Sequence, residues 1–353
     1  MTGIRDVARE VGMSTASVSR ALRGLPGVSP ATRHRVLEAA RRLGYVASPQ
    51  AAGLASGTTR TIGVVVPFVT RWYFSWIVQG AQDRLRGEGY DLLLYNLGGK
   101  ESARERLLAT RYLAKRVDAL LVLALTPTPE EQENLRSWDL PVGLVGAEAP
   151  GFCCVDIDDV GVSAQAVDHL VELGHERIAY VGGGLEDTLD HRAPRLRAEG
   201  WRAAMARHGL PLVPGYDEVG DFTMAGGERA GERLMELADP PTAIYAASDE
   251  MAIGVLRALR RAGRRTPQDV SVMGVDDHEM ASFLDLTTVA QPVYEQGEAI
   301  TAMLLAALRG ELAAESPAGS PAGSPTNQGS ATRRTFPTTL VVRSSTAPPG
   351  GTG

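Results

Sequence analysis

The stretch IRDVAREVGMSTASVSRALRG, residues 4–24, decides how the chain is read. Its first half places Ile4, Val7, Ala8 and Val11 at i, i+3, i+4 and i+7, the apolar stripe of a short helix, and Gly12 ends it. Ser14 is a good N-cap for a second helix, with Met13 and Val18 placed to staple across that cap, and Gly24 closes it. The second helix has an unusual surface of small hydroxyl and alanine side chains, followed by Arg20 and Arg23. Two short helices joined by a glycine-containing turn predict a helix-turn-helix, whose second helix enters the DNA major groove by its N-terminal residues. Small side chains permit close approach. Ser14 and Ser17 can bond phosphates, as can the helix N-terminal amides. Arg20, one turn on, is long enough to reach a guanine O6/N7 edge with two bonds.

Working outward, VSPATRHRVLEAARRLGY (28–45) predicts a third helix, with Ser29 as cap, Pro30 at its first position and Gly44 at its end. The 353-residue chain has a net charge of −6, unevenly spread. Residues 1–45 hold eight arginines against three acids, so the remainder carries about −11. A basic head on an acidic body predicts polyanion binding by the head, with the body's repulsion of DNA leaving contact to that head. Residues 46–60, VASPQAAGLASGTTR, read as a linker holding a weak helix at 50–56, which Gly53 makes unstable alone.

From Thr61 the pattern changes to buried-strand runs (TIGVVVP, YDLLLYNL, DALLVLAL, RIAYVGG, TAIYAAS, VSVMGVDD) alternating with helical segments. This predicts an α/β body with parallel sheets and right-handed crossovers, in two lobes. SPAGSPAGSPTNQGS (316–330) has almost nothing to bury and predicts a disordered insertion; TFPTTLVVRSST then recovers a strand pattern, and 344–353 reads as a tail. Cys153 and Cys154 are adjacent and are the only cysteines, which gives neither a disulfide framework nor a spaced metal site. There is no run of about 18 apolar residues and no signal-peptide pattern, so a cytoplasmic protein without a membrane span is expected.

Enzyme chemistry finds little support. VGGGLED lacks the third glycine of a dinucleotide loop, and His169 and His175 do not share a helix face as metal ligands would. Adjacent acids in the Asp158–Asp159 and Asp276–Asp277 doublets point to opposite faces of a strand. No cofactor, metal or catalytic set is expected.

The first 45 residues, with D-V-A, G-x-S-x-x-x-V-S-R, G-V-S and L-G-Y, closely resemble the headpiece of the LacI/GalR family of bacterial transcription regulators. The resemblance continues in family order to Val342, apart from the insertion. It implies a repressor that binds a pseudo-palindromic operator as a homodimer, with a tetramer left open. It also implies that Thr15 and Ala16 set operator preference, that Arg20 reads a base and that Ser14 and Ser19 hold backbone. Leu54 would be the hinge-helix wedge in the minor groove, with Ala51 packed beside it. Arg23 replaces a common asparagine, where an added phosphate contact is expected, and Gly53 replaces a longer side chain.

For the body the resemblance implies a type I periplasmic-binding-protein fold with an effector in the cleft. One lobe is expected at 61–158 and 290–313, the other at 159–288 and 334–343. The implied effector-binding residues are Tyr73, Phe74, Arg197, Phe222, Ser248, Asp249 and Asp276. A sugar or sugar derivative is the implied class. Gly146 and Ala147 stand where sugar-responsive members carry an acid and a polar group, Val275 where they carry an aromatic, and Ser248 where asparagine is common. These departures leave room for a purine-like or phosphorylated effector. Two alternatives stay open: a DNA-binding regulator whose body only dimerises, and a solute-binding module without a regulatory role.

Overall fold

The computed structural model describes residues 3–45, 58–108, 110–184, 192–311 and 332–350. The expected hinge helix with Ala51 and Leu54, and the expected insertion at 316–330, lie outside the described residues. The chain divides into two compact units, one up to Arg60 and one from Thr61.

The first unit holds helices α1 (Ile4–Val11), α2 (Thr15–Leu22) and α3 (Pro30–Arg42). Each start has a local cause. Ser14 Oγ accepts from the Ser17 amide at 3.2 Å, and Ser29 Oγ accepts from the Thr32 amide at 3.1 Å. Gly12 ends α1 at φ 66°, a left-handed conformation that costs glycine little and turns the chain into α2. The buried core is three valines (Val7, Val18, Val36) and four alanines (Ala8, Ala21, Ala39, Ala40), with Ile4, Val11, Met13 and Leu22 at its edge.

In the second unit the strands are β1 (Thr61–Val66), β2 (Asp91–Asn96), β3 (Ala119–Leu123), β4 (Val142–Val145), β5 (Cys153–Ile157) and β6 (Ile178–Gly182). They continue as β7 (Asp217–Val219), β8 (Ala243–Ala246), β9 (Ser271–Asp276), β10 (Thr287–Ala290), β11 (Arg333–Phe336) and β12 (Thr339–Val341). They form two six-stranded sheets, β11-β5-β4-β3-β1-β2 and β12-β10-β9-β8-β6-β7. Every pairing is parallel except β10 with β12. β3, β4 and β8 are buried throughout, as expected of parallel strands covered on both faces.

The covering helices are α4 (Trp72–Glu88), α5 (Glu101–Leu108), α6 (Pro129–Arg136), α7 (Asp159–Glu172), α8 (Arg192–Arg207), α9 (Met224–Glu236), α10 (Asp249–Arg261), α11 (Glu279–Phe283) and α12 (Val293–Leu308). The chain passes between the lobes three times: from β5 into α7, from β10 into α12, and from β11 into β12. The second pass is locked by close helix packing. A Cβ on Gly80 of α4 would lie 2.2 Å from the Tyr294 carbonyl oxygen of α12, and one on Gly297 would lie 2.2 Å from that of Ile77. Among the described residues no helix is long and apolar enough to cross a membrane.

Two boundaries differ from expectation. Residues 334–336, expected in the second lobe, belong to β11 and pair with β5 in the first sheet. Asp156 holds them there, accepting from Arg333 Nη2 at 2.6 Å and Thr335 Oγ1 at 2.8 Å. The expected tail from 344 is instead packed down. Ser345 Oγ donates to the Val272 carbonyl at 2.6 Å and accepts from the Thr287 amide at 2.8 Å. The Ala347 carbonyl lies 2.9 Å from His175 Nε2, which must donate to it. His175 is thereby a structural clasp for the C-terminal segment.

Candidate functional site

In the first unit the exposed face of α2 carries Thr15, Ala16 and Arg20, with Ser17 and Ser19 half-buried behind them. Ser14 Oγ is occupied as the cap and lies 2.9 Å from Ser17 Oγ, so the two hydroxyls act as one polar step at the helix start. Other arginines of this unit are engaged: Arg42 pairs with Glu10 at 3.0 Å, and Arg33 donates to the Leu25 carbonyl at 3.0 Å. Arg20 has no ion-pair partner among the described residues and extends from a surface of small side chains. Arg23 differs from a plain phosphate arm. It is the C-cap residue of α2, and its Nε donates to the Ser19 carbonyl at 3.3 Å.

The second unit has a cleft of about 780 Å³, its open mouth included, at the C-terminal ends of the strands. Tyr73 and Phe74, in the first turn of α4, form one wall with Gly146, which leaves β4 at φ 66°. A Cβ on Gly146 would come within 3.2 Å of Tyr73 Oη, so the glycine makes room for that phenol. Phe222, Ser248 and Arg197 line the cleft from the other lobe. Ser248 caps α10, its Oγ accepting from the Met251 amide at 3.3 Å.

Arg197 is 4% exposed and is held from two directions. Its Nε donates to Asp159 Oδ1 at 2.8 Å and one Nη to the Ala247 carbonyl at 2.5 Å. Burial works against the charged guanidinium, but Asp159 and Asp276 outweigh it and raise its pKa further. Asp276 ends β9 at φ 121° and accepts from Gln291 Nε2 at 2.6 Å; Gln291 Oε1 in turn accepts from Gln296 Nε2 at 3.0 Å. Burial pushes the Asp276 carboxyl up to about 7, against the pull of Arg197 and Gln291. Burial also raises the Tyr73 phenol. The cleft thus presents a charged pair, an acid that titrates near neutrality and an amide relay between apolar walls.

Asp249 requires a correction. It does not line the cleft: at the first position of α10 it points back into the sheet and is wholly buried. Its oxygens accept from Thr288 Oγ1 at 2.7 Å and the His278 amide at 2.8 Å, so it ties α10 to β10 and the β9–α11 turn. Gly274 gives it space, since a Cβ there would lie 2.0 Å from Asp249 Oδ1. The acid doublets separate, though not by strand alternation: Asp158 and Asp159 are the N-cap and first residue of α7, and Asp277 lies in the turn after β9. Asp158 caps α7 through the Gly161 amide while Asp159 holds Arg197; Asp277 pairs with Arg343 while Asp276 faces the cleft. Glu250, Gln291 and Gln296 line the cleft without a signal named in the sequence, and Asp159, noted there only as half of an acid doublet, lines it too. A polar residue at the end of a buried run, such as Gln291 after TTVA, was the available signal.

A helix-turn-helix unit joined to a two-lobed α/β body with a polar cleft defines a DNA-binding transcriptional regulator rather than an enzyme. Residues 3–48 match the model for bacterial regulatory proteins of the lacI family, and residues 167–346 match a periplasmic binding protein-like domain. The chain is 36% identical over 310 residues to the ribose operon repressor of Escherichia coli (strain K12), covering 86% of this chain and 92% of that protein. The transcriptional regulator CelR in complex with cellobiose aligns at a TM-score of 0.69 and 30% identity, over 98% of this chain and 100% of that one. The lac repressor dimer bound to operator and the anti-inducer ONPF aligns at 0.81 and 25% identity, over 98% and 99%. The chain belongs to the lacI family of bacterial regulatory proteins.

Proposed function

We propose that this regulator is a cytoplasmic repressor that holds a pseudo-palindromic operator as a homodimer, and that a sugar or sugar derivative in the cleft changes its grip on DNA. The observation that carries the reading is the buried polar array of Arg197, Asp159, Asp276, Gln291 and Gln296 between the lobes. A body needed only for dimerisation would be at least as stable with apolar side chains there. Phe74 and Phe222 offer flat apolar faces to the C–H side of a sugar ring, while guanidinium, carboxyl and amide groups take its hydroxyls. The ribose operon repressor and the cellobiose-bound regulator support that ligand class. A ligand that favours one closure angle biases the pose of the lobes, and hence the DNA affinity.

On the DNA side, Thr15, Ala16 and Arg20 are assigned to base edges, and Ser14, Ser17, Ser19 and Arg23 to phosphates. Ala51 and Leu54 are assigned to the minor groove as part of the 46–60 hinge. The test is a thermal-shift screen of the full-length chain against sugars and nucleosides, with operator affinity measured with and without each hit. One ligand should raise the melting temperature and change operator affinity by roughly 5–150-fold. Intact operator binding with no stabilising ligand would leave the body as a dimeriser only.

A further inference from the structure

The second unit is acidic as a whole, yet one stretch of it breaks that pattern. From Arg106 to Arg116 the chain carries Arg106, Arg111, Lys115 and Arg116 and no acidic residue. All four side chains belong to exposed residues, and no carboxylate pairs with them among the described residues. Neighbouring arginines behave otherwise: Arg84 pairs with Glu88, Arg86 with Asp83 and Arg309 with Glu311. The stretch is held in place from below. Leu113 and Val117 are buried, and successive turns bond the Ala114 amide to Arg111 and the Arg116 amide to Leu113. Tyr112, half exposed, takes a 2.7 Å bond from Arg116 Nη1.

Its place in the fold gives the cluster meaning. It leads directly into β3, which is parallel to β1 with Ala119 in register with Ile62, and the Asp118 amide donates to the Thr61 carbonyl at 2.8 Å. Thr61 is where the second unit begins and where the chain arrives from the DNA-binding unit. Lys115 and Arg116, which run into β3, therefore sit at the N-terminal ends of the strands, where that chain enters, and away from the cleft at the C-terminal ends.

We propose that Arg106, Arg111, Lys115 and Arg116 form a second DNA-contacting surface, on the body, that binds the phosphate backbone of the duplex read by the helix-turn-helix. The partner is argued from charge complementarity and chain connectivity. Arginine forks suit phosphate oxygens, and such contacts add affinity without sequence information. The cluster also offsets, locally, the repulsion between an acidic body and DNA. The inference rests on DNA binding by the first unit and is independent of the effector.

The test uses the full-length chain and an operator duplex recovered by selection from a random library. Its affinity is measured from 50 to 250 mM KCl for the parent and for R106Q/R111Q/K115Q/R116Q. The variant should bind more weakly to operator and random duplex alike, with the operator-to-random ratio unchanged. Its log–log salt slope should shrink by about 0.9 for each phosphate that the variant no longer neutralises. R106Q/R111Q, which leaves the two cations nearest Thr61 in place, should show part of the same slope change with an unaltered unfolding midpoint. An unchanged slope in both variants overturns the proposal, and would point the cluster toward an acidic protein partner. A fall in the operator-to-random ratio at constant slope also overturns it, because that would be an effect relayed through the linker.

Discussion

The DNA-binding unit and the cleft of the body handle charge in opposite ways. On α2 the working side chains stand outside a core of three valines and four alanines, and Arg20 has no ion-pair partner among the described residues. In the cleft they stand inside: Arg197 and Asp276 are 4% and 7% exposed, and each is bonded to another side chain. A polyanion brings its own counter-charge, so a surface that meets it loses nothing by leaving arginines unpaired in water. The effector proposed for the cleft would meet charges that are paired with one another. A ligand that takes or adds contacts in that network, which is supplied by both lobes, would tie its binding to their movement.

The contrast breaks first, if it is wrong, at Arg197. Arg197→Ala leaves Asp159 buried without its cation and should cost the body roughly 3–5 kcal/mol in urea unfolding. Replacing both partners together, as R197M/D159L, should recover most of that loss, because no charge is then stranded. A loss under about 1 kcal/mol for the single variant would mean the pair is effectively solvent-shared, as exposed ion pairs are, and the cleft would be no different in kind from the head.

Arg20→Ala makes the complementary case. With an exposed side chain it should leave the unfolding curve in place while removing about 1–3 kcal/mol of base discrimination, read as competition between operator and random duplex. If both affinities drop equally, Arg20 contacts phosphate, and sequence reading passes to Thr15 and Ala16.

How far each region was legible in the sequence follows from the same contrast. The head is written in local signals: caps at Ser14 and Ser29, a left-handed glycine at Gly12, and an apolar stripe three and four apart all act within one turn. The cleft is assembled from a distance. Arg197 finds Asp159 from 38 residues away and Asp276 finds Gln291 from 15, so these pairings exist only once the sheets are in register. The family resemblance implied Arg197, Phe222, Ser248 and Asp276, which all line the cleft, but it also implied Asp249, which does not. One residue after Ser248 the helix has already turned its side chain into the sheet, and the space left by Gly274 receives it. β11 was misassigned for a related reason. RRTF has no apolar alternation to announce it, and its pairing depends on Asp156.

The smallest effect compares two serines that do the same job in the two regions. Ser14 caps α2 through the Ser17 amide at 3.2 Å, and Ser248 caps α10 through the Met251 amide at 3.3 Å. Each serine-to-alanine change should remove about 1 kcal/mol. In the head, that loss falls on a unit whose stability comes from seven small buried side chains, so S14A should raise the population of open head and speed proteolysis within 3–45. Saturating operator should slow that cleavage again, because only the folded head binds. In the body, α10 is held independently of its cap. A Cβ on Gly227 would lie 2.1 Å from the Met251 carbonyl, which measures how closely α9 and α10 are packed. S248A should therefore leave proteolysis of the body unchanged. Equal protection of both units in S14A would show that the head's stability resides in contacts beyond its own core.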